Sequence, residues 1–388
     1  MENFEFSSPT KIIFGKGTEE RIGKEVSLYS SKVLFLYGSG SIKRTGLYDR
    51  IVASLKAWRV DFVELSGVQP NPRLSLVEKG ISICKKQGIG FILAVGGGSV
   101  IDSAKAIGAG ACYDGAVWDF FPAAKLVTEC LPIGVVLTIP AAGSEASQFA
   151  VITREHTQEK LPMQGEALRP RFAILNPELT FTLPPYQTAC GCVDIMGHVI
   201  ERYFTTVPNV DLTDRLCEAV LRTVITNAPI VLTEPQNYAA RAEIMWAGTL
   251  AHNDLLSTGR IGDWSSHRIE HELSAIYDIT HAAGLAVIYP AWMKYSFKKD
   301  TKRFVQFAVR VWGVDLPFES EERIVLEGIR RMESFFKDLG LAVRLTELDI
   351  SSERFDEMAE KCAAFWSSGG NYHKLEKQVV KDILELAL

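Results

Sequence analysis

Phe91-Ile-Leu-Ala-Val-Gly-Gly-Gly-Ser-Val-Ile-Asp102 is the stretch that decides the fold. Its five opening apolar residues have the length of a strand buried on both faces, which is how a strand inside a parallel sheet reads. The run passes directly into three glycines, where backbone can approach a bulky anion closely, and Ser99 adds a hydroxyl. A helix that starts here aims its positive end and its unpaired N–H groups at a phosphate. The spacing does not match G-x-x-x-x-G-K-[ST], so a Walker-type triphosphate site is not expected; a dinucleotide pyrophosphate fits better.

The pattern repeats on both sides. Upstream, Lys11-Ile-Ile-Phe-Gly15 reads as a short opening strand, Lys32 to Tyr37 as a buried strand ending in Gly38-Ser-Gly-Ser41, and Asp61 to Leu65 as a third that leads into Gln69-Pro-Asn-Pro72. Downstream, Ile133 to Ile139 runs into Pro140-Ala-Ala-Gly-Ser-Glu145, and Phe172 to Leu175 adds one more. Stretches near 18–28, 46–57 and 74–86 have helical character. Alternating strands and helices imply a parallel sheet whose ligands collect at the carboxyl ends of the strands, where Gly38, Gly96 and Thr138 stand. G-x-G turns are common, and an ordinary tight turn explains Gly38-Ser-Gly equally well.

After Leu183-Pro-Pro185 the character changes. Segments near 186–205, 211–226, 238–256, 263–276, 282–297, 301–312, 319–339, 353–366 and 374–386 read as amphipathic helices. The two prolines mark a boundary, giving an α/β dinucleotide-binding domain over 1–184 and an all-helical metal-binding and catalytic domain over 185–388.

That second half concentrates histidine. Asp263 to His281 places His267, His271 and His281 within fifteen residues, out of seven histidines in the chain. Ile269, Leu273 and Ile276 recur at helical spacing, and His267 and His271, four apart, share a face. An unbroken helix would put His281 roughly 20 Å from His267. The Tyr277-Asp-Ile-Thr280 segment is where the chain can turn, with Thr280 capping a new helix that opens at His281. Upstream, Asp194-x-x-x-His198 offers a carboxylate and another imidazole on one helix face. A lone H-x-x-x-H is most often a satisfied core or surface pair. Ligand-type side chains gathered on two helical segments point instead to a zinc or ferrous site.

Composition narrows the class. A chain of 388 residues suggests two domains, and 47% apolar with 23% charged residues is a globular balance. A net charge of −5 without long runs of one sign recommends neither nucleic acid nor an anionic membrane as partner. Met1-Glu-Asn-Phe-Glu lacks the features of a signal peptide, and no apolar stretch of about 18 residues is found, so a membrane span is not expected. Seven sparse cysteines suit free thiols in a reducing cytoplasm. Cys190-Gly-Cys192 is one residue short of C-x-x-C and reads as core thiols. Phe149, Trp264 and Trp292 would line an apolar substrate pocket or fill the core.

Taken together, Gly96-Gly-Gly-Ser-x-x-Asp102-x-x-Lys105, Asn71-Pro, Gly143-Ser-Glu145, Asp194-x-x-x-His198, His267-x-x-x-His271 and His281 resemble the iron-containing (group III) alcohol dehydrogenases. The resemblance covers essentially the whole chain and is strongest to the branch of butanol dehydrogenases and broad-range NADPH-dependent aldehyde reductases. It implies a dehydroquinate synthase-like architecture and a reversible hydride transfer between nicotinamide and a short-chain aldehyde or primary alcohol. It implies Asp194, His198, His267 and His281 as ligands of Fe²⁺, with Zn²⁺ suiting the same donors. Gly96, Gly97, Gly98 and Ser99 would hold the pyrophosphate, with Asn71, Thr138 and Ser144 along the cofactor groove. Asp102 would orient the nicotinamide end, and His271, close to the metal, would relay a proton. Gly38, Ser39 and Ser41 would meet the adenine ribose. No acid follows the first long strand there, and Lys43 and Arg44 are near, so NADPH is expected over NADH. A homodimer is expected from the family, with the opening strand able to pair across a two-fold. The alternative is a metal- and NAD-dependent lyase of the dehydroquinate synthase type. That reading needs a dense cationic cluster, and only Arg202, Arg260 and Arg268 lie near the proposed ligands.

Overall fold

A computed structural model describes residues 1–388 except Ala124, Leu316 and Phe318. The chain forms two compact units. An α/β unit comprises Ser7–Leu183 and Pro235–Asn253; a helical unit comprises Met1–Phe6, Pro184–Glu234 and Asp254–Leu388.

The strands of the α/β unit are β1 (Lys11–Phe14), β2 (Lys32–Tyr37), β3 (Asp61–Leu65), β4 (Phe91–Gly96), β5 (Ile133–Leu137), β6 (Phe149–Arg154), β7 (Glu159–Gln164) and β8 (Phe172–Leu175). Six of them make one sheet in the order β1-β8-β5-β4-β2-β3, every pair parallel. The continuous apolar runs of β2, β4, β5 and β8 occupy the interior, where both faces are covered, while β3 at one edge is only partly buried. Val33, Phe35, Phe91, Leu93, Val95, Phe172 and Ile174 join Ile51 and Leu55 of the helix Leu47–Ala57 in one buried cluster. Each such side chain contributes about 1.5–3 kcal/mol on burial.

Tyr37 pairs with Val95, and Val95 with Val136, so the carboxyl ends of β2, β4 and β5 lie side by side. From β2 the chain moves outward to β3 and then returns past β2 to β4. The order therefore reverses between β2 and β4, and the turns at Gly38 and Gly96 flank that switch point.

β6 and β7 form a separate antiparallel hairpin, which the sequence pattern did not signal. Pro162 within β7 and the polar His156-Thr-Gln158 connection mask the period-two signal. The helix Tyr238–His252 belongs to this unit although it lies beyond the prolines. Its Thr249 hydroxyl donates to Glu145 at 2.7 Å, which ties it to the turn Ser144–Ala146.

In the helical unit the major helices are Pro185–Tyr203, Asp211–Thr233, Ser265–Tyr277, His281–Ser296, Thr301–Arg310, Glu321–Asp338, Phe355–Trp366 and Lys377–Leu386. Pro185 sits in the first turn, where a missing N–H costs nothing. A window of Asp211–Thr233 has the length and apolarity of a membrane span, contrary to the expectation that no such stretch exists. Asp214 near its start accepts from Arg260 at 2.7 Å and Arg303 at 2.6 Å, and Cys217, Leu221 and Val224 are buried. The length came into view because the helix continues past Pro229 to Thr233.

Candidate active site

Asp194 and His198 lie one turn apart on Pro185–Tyr203, a helix buried along nearly its whole length. His267 lies in the first turn of Ser265–Tyr277, which stops where Asp278 adopts a left-handed conformation with φ of 53°. His281 opens the next helix with Thr280 at its N-cap, so the chain turns where the sequence said it could. The Thr280 side chain makes no capping bond; its carbonyl instead accepts the Ala283 and Gly284 N–H groups.

The break brings His281 back to His267. One ligand-type atom from each of Asp194, His267 and His281 falls within 4.8 Å of the others. Asp194 Oδ1 and His267 Nε2 are buried without a hydrogen-bond partner; His198 Nδ1 stands 3.3 Å from that oxygen but bonds the Asp194 backbone carbonyl. Two such orphans cost several kcal/mol unless something else satisfies them, and a divalent cation would do so. The His198 ring centre is 4.8 Å from that of His267, and its Nδ1 is 2.9 Å from the Asp194 carbonyl. A carbonyl only accepts, so that bond places the proton on Nδ1 and makes Nε2 the accepting nitrogen of the ring. His198 is not within the same 4.8 Å set. Burial, with His198 and His281 as neighbours, pushes the His267 imidazole toward its neutral, ligating form. Burial raises the Asp194 pKa, but His198, His281 and His267 outweigh it and hold the group ionised. These donors are the nitrogen and oxygen set that suits Fe²⁺ or Zn²⁺.

Two further carboxylates orient the imidazoles. Glu201 Oε1 lies 2.9 Å from His267 Nδ1 and accepts the His267 backbone N–H at 2.9 Å. Glu270 Oε2 meets His281 Nδ1, and its other oxygen accepts from Ser274. With Nδ1 facing a carboxylate, each ring turns Nε2 the other way, and the Tyr289 hydroxyl also stands 2.9 Å from His267 Nδ1. Glu270 is wholly buried and fits because residue 284 lacks a side chain; a Cβ there would lie 2.7 Å from Glu270 Cγ. Neither glutamate was singled out from the sequence. The available signal was helical spacing, since Glu201 is seven residues after Asp194 and Glu270 three after His267.

His271 is buried, its ring 5.6 Å from that of His281, and forms a second close set with Glu270 and His281. Trp264 packs 5.3 Å from the His267 ring. Trp292 is core, against Phe204 and Phe304, and Phe149 packs on His252 in the α/β unit. The three arginines considered for an acidic substrate are engaged internally. Arg202 donates to the His198 carbonyl and stacks on Trp264, Arg260 pairs with Asp214, and Arg268 stacks on Trp366.

In the α/β unit the expected cofactor residues stand at strand ends. Gly38, Ser39 and Ser41 follow β2, Gly96 closes β4, and Thr138 follows β5 with its N–H on the Gly96 carbonyl at 3.1 Å. Gly97 is the N-cap of the helix Gly98–Ala111, and Ser99 is in its first turn. A Cβ on Gly97 would lie 2.2 Å from Ile139 Cγ2, so only glycine leaves that cradle open. Asn71 is buried and left-handed, with φ of 50°.

Asp102 and Ser144 are bonded to each other. Ser144 donates to Asp102 Oδ1 at 2.6 Å, and the Val151 N–H donates to Oδ2 at 2.9 Å. Lys105, fully buried, donates to the carbonyls of Ser144, Ser147 and Phe149 at 2.7–2.9 Å. This lock fixes the segment after β5.

Two family models match the chain: iron-containing alcohol dehydrogenase over residues 9–177, and the C-terminal part of the Fe-containing alcohol dehydrogenase family over 188–388. The chain is 47% identical to a probable NADH-dependent butanol dehydrogenase 2 of Bacillus subtilis, over 100% of both. It is 45% identical to NADH-dependent butanol dehydrogenase A of Clostridium acetobutylicum, over 100% of this chain and 99% of the relative. It is 36% identical to an NADPH-dependent aldehyde reductase of Escherichia coli over the full length of both. The crystal structure of NADH-dependent butanol dehydrogenase A from Thermotoga maritima superposes with a TM-score of 0.95 at 42% identity, covering 100% of this chain and 99% of that one.

Proposed function

The chain belongs to the iron-containing alcohol dehydrogenase family and is an NAD(P)-dependent oxidoreductase of alcohols and aldehydes; from that premise we propose that it interconverts a short-chain primary alcohol such as butanol and its aldehyde. The observation that carries the proposal is the pair of orphaned buried atoms, Asp194 Oδ1 and His267 Nε2, beside His281. Asp194, His198, His267 and His281 would hold the cation, and Glu201 and Glu270 would keep two imidazoles aimed. When bound, the dinucleotide carries the hydride and the cation acts as a Lewis acid toward the substrate oxygen. Gly96 to Ser99 would bind the pyrophosphate through backbone N–H groups, with Gly38, Ser39, Ser41, Asn71 and Thr138 along the same groove. Asp102 and Ser144 would shape the nicotinamide end through their mutual hydrogen bond. His271 would carry the proton that the alcohol oxygen gains or loses.

The cofactor is NAD(P)(H). The expectation of NADPH rested on the lack of an acid after β2 and on Lys43 and Arg44 nearby, and Lys43 lies 3.6 Å from the Glu64 carboxylate. We therefore favour NADH as the working cofactor with NADPH accepted, in line with the NADH-dependent relatives. A lyase is not favoured, since Arg202, Arg260 and Arg268 are spent within the helical unit and the relatives named above are oxidoreductases. The reading extends to a cytoplasmic homodimer, supported by seven unbridged cysteines and by β1 at an open sheet edge. Oxidation of NADH or NADPH by butyraldehyde, followed at 340 nm on metal-loaded protein, tests the assignment. Absence of turnover with both cofactors refutes it.

A further inference from the structure

At the carboxyl end of β2, beside the Gly38-Ser-Gly-Ser turn, four side chains form a closed polar cluster. Glu64 on β3 accepts from the Tyr37 hydroxyl at 2.7 Å through one oxygen and from the Tyr48 hydroxyl through the other. Lys43, in the short helix Ser41–Arg44, lies 3.6 Å from the first oxygen, 4.6 Å from the Tyr48 ring centre and 5.4 Å from that of Tyr37. Its ammonium therefore faces a carboxylate and two ring faces. Arg44, the other cation of the turn, makes no ion pair among the described residues.

The place matters because the sheet reverses order at β2 and β4, and the helix N-terminus at Gly97 and Gly98 lies on the β4 side. A dinucleotide with its pyrophosphate there extends its adenosine toward β2. There is room at that end. Gly67, whose N–H donates to the Gly38 carbonyl at 3.1 Å, borders a cavity of about 320 Å³ that runs along Gln69 and Arg73.

We propose that Glu64 sets the cofactor preference by neutralising Lys43, so that a ribose 2′-phosphate finds no uncompensated ammonium at this turn. Partial burial raises the Glu64 pKa, but Tyr48, Tyr37 and Lys43 outweigh it, so the carboxylate stays charged at neutral pH. The Tyr48 hydroxyl, bonded to Glu64, is pushed up to about 12 and remains a donor. Arg44 keeps the turn weakly attractive to phosphate, and NADPH is therefore admitted rather than excluded. The inference rests on the dehydrogenase reading.

Its test is kcat/KM for NADH and for NADPH with butyraldehyde, on the metal-loaded full chain as wild type, Glu64→Gln, Lys43→Ala and the double variant. Glu64→Gln is expected to raise the NADPH-to-NADH ratio about fivefold, the scale of one partly exposed charge pair. Lys43→Ala alone should change the ratio less than about twofold, because its charge is already cancelled. The double variant should lose the gain. A ratio unmoved or lowered by Glu64→Gln overturns the proposal, as does a loss of about tenfold in Lys43→Ala, which would mean that Lys43 already serves the phosphate. Lys43 lies on an exposed turn, so a tenfold loss in its variant overturns the proposal even if Glu64→Gln misfolds, and Glu64→Ala in place of Glu64→Gln then tests the gain. Failure of the wild type with both cofactors would refute the dehydrogenase reading; turnover with an unmoved ratio would refute the Glu64 role alone.

Discussion

The Glu201 carboxylate lies 2.9 Å from His267 Nδ1 and takes the backbone N–H of the same residue at 2.9 Å. One oxygen thus fixes both the ring and the helix start that carries it. Burial pushes the Glu201 carboxyl up to about 7; Glu201→Gln keeps an acceptor and removes the ionisable group that faces His267 Nδ1, so metal affinity should fall by roughly tenfold while the fold persists. Chelator competition measures this, and unchanged affinity would remove Glu201 from the site.

His271 offers a sharper distinction, because it forms a close set with Glu270 and His281 but not with Asp194. If it relays a proton, His271→Gln should retain metal and lose roughly a hundredfold in kcat. Metal content by elemental analysis decides; metal lost together with activity would make His271 a ligand.

Gly97 leaves no room for a methyl group, since its Cβ would lie 2.2 Å from Ile139 Cγ2. Gly97→Ala should cost about 1–3 kcal/mol of stability by overpacking. It should also weaken dinucleotide binding while leaving metal content intact. Ile139→Ala in the same chain removes the clashing atom and should restore part of the stability in urea titrations.

Lys105 supplies a pH-dependent test in the α/β unit. Burial pushes its ammonium down to about 8, against the pull of Asp102 and Glu145. Below pH 8 both folded and unfolded chains hold the proton, and above the ordinary lysine value neither does. Between them the unfolded chain binds more protons, so this group's contribution to stability rises with pH. The stability gap between wild type and Lys105→Met should therefore widen as pH climbs through that window. A gap that narrows would contradict the burial of a charged lysine. At neutral pH the variant strands three carbonyls, a loss of about 3 kcal/mol or more.

Much of this was legible in the residues. Phe91 to Asp102 announced a buried strand, a glycine cradle and a helix, and β4 with the helix Gly98–Ala111 is what formed. The break after Tyr277 followed from the need to bring His281 near His267. What escaped notice depends on tertiary neighbours. The β6/β7 hairpin is defined by pairing between strands that alternate poorly. Glu201 and Glu270 look like ordinary helical glutamates until the rings they face are in place. Lys43 reads as an available cation in the sequence, and only the pairing of Phe35 with Glu64 across β2 and β3 reveals its partner.

The central claim is most directly tested by stripping the protein with a chelator and following NADH and NADPH oxidation by butyraldehyde at 340 nm before and after reloading with Fe²⁺ or Zn²⁺, in wild type and His267→Ala. Turnover should vanish on stripping, return on reloading in the wild type and stay absent in the variant. Full activity in the stripped protein, or in His267→Ala, would contradict the account.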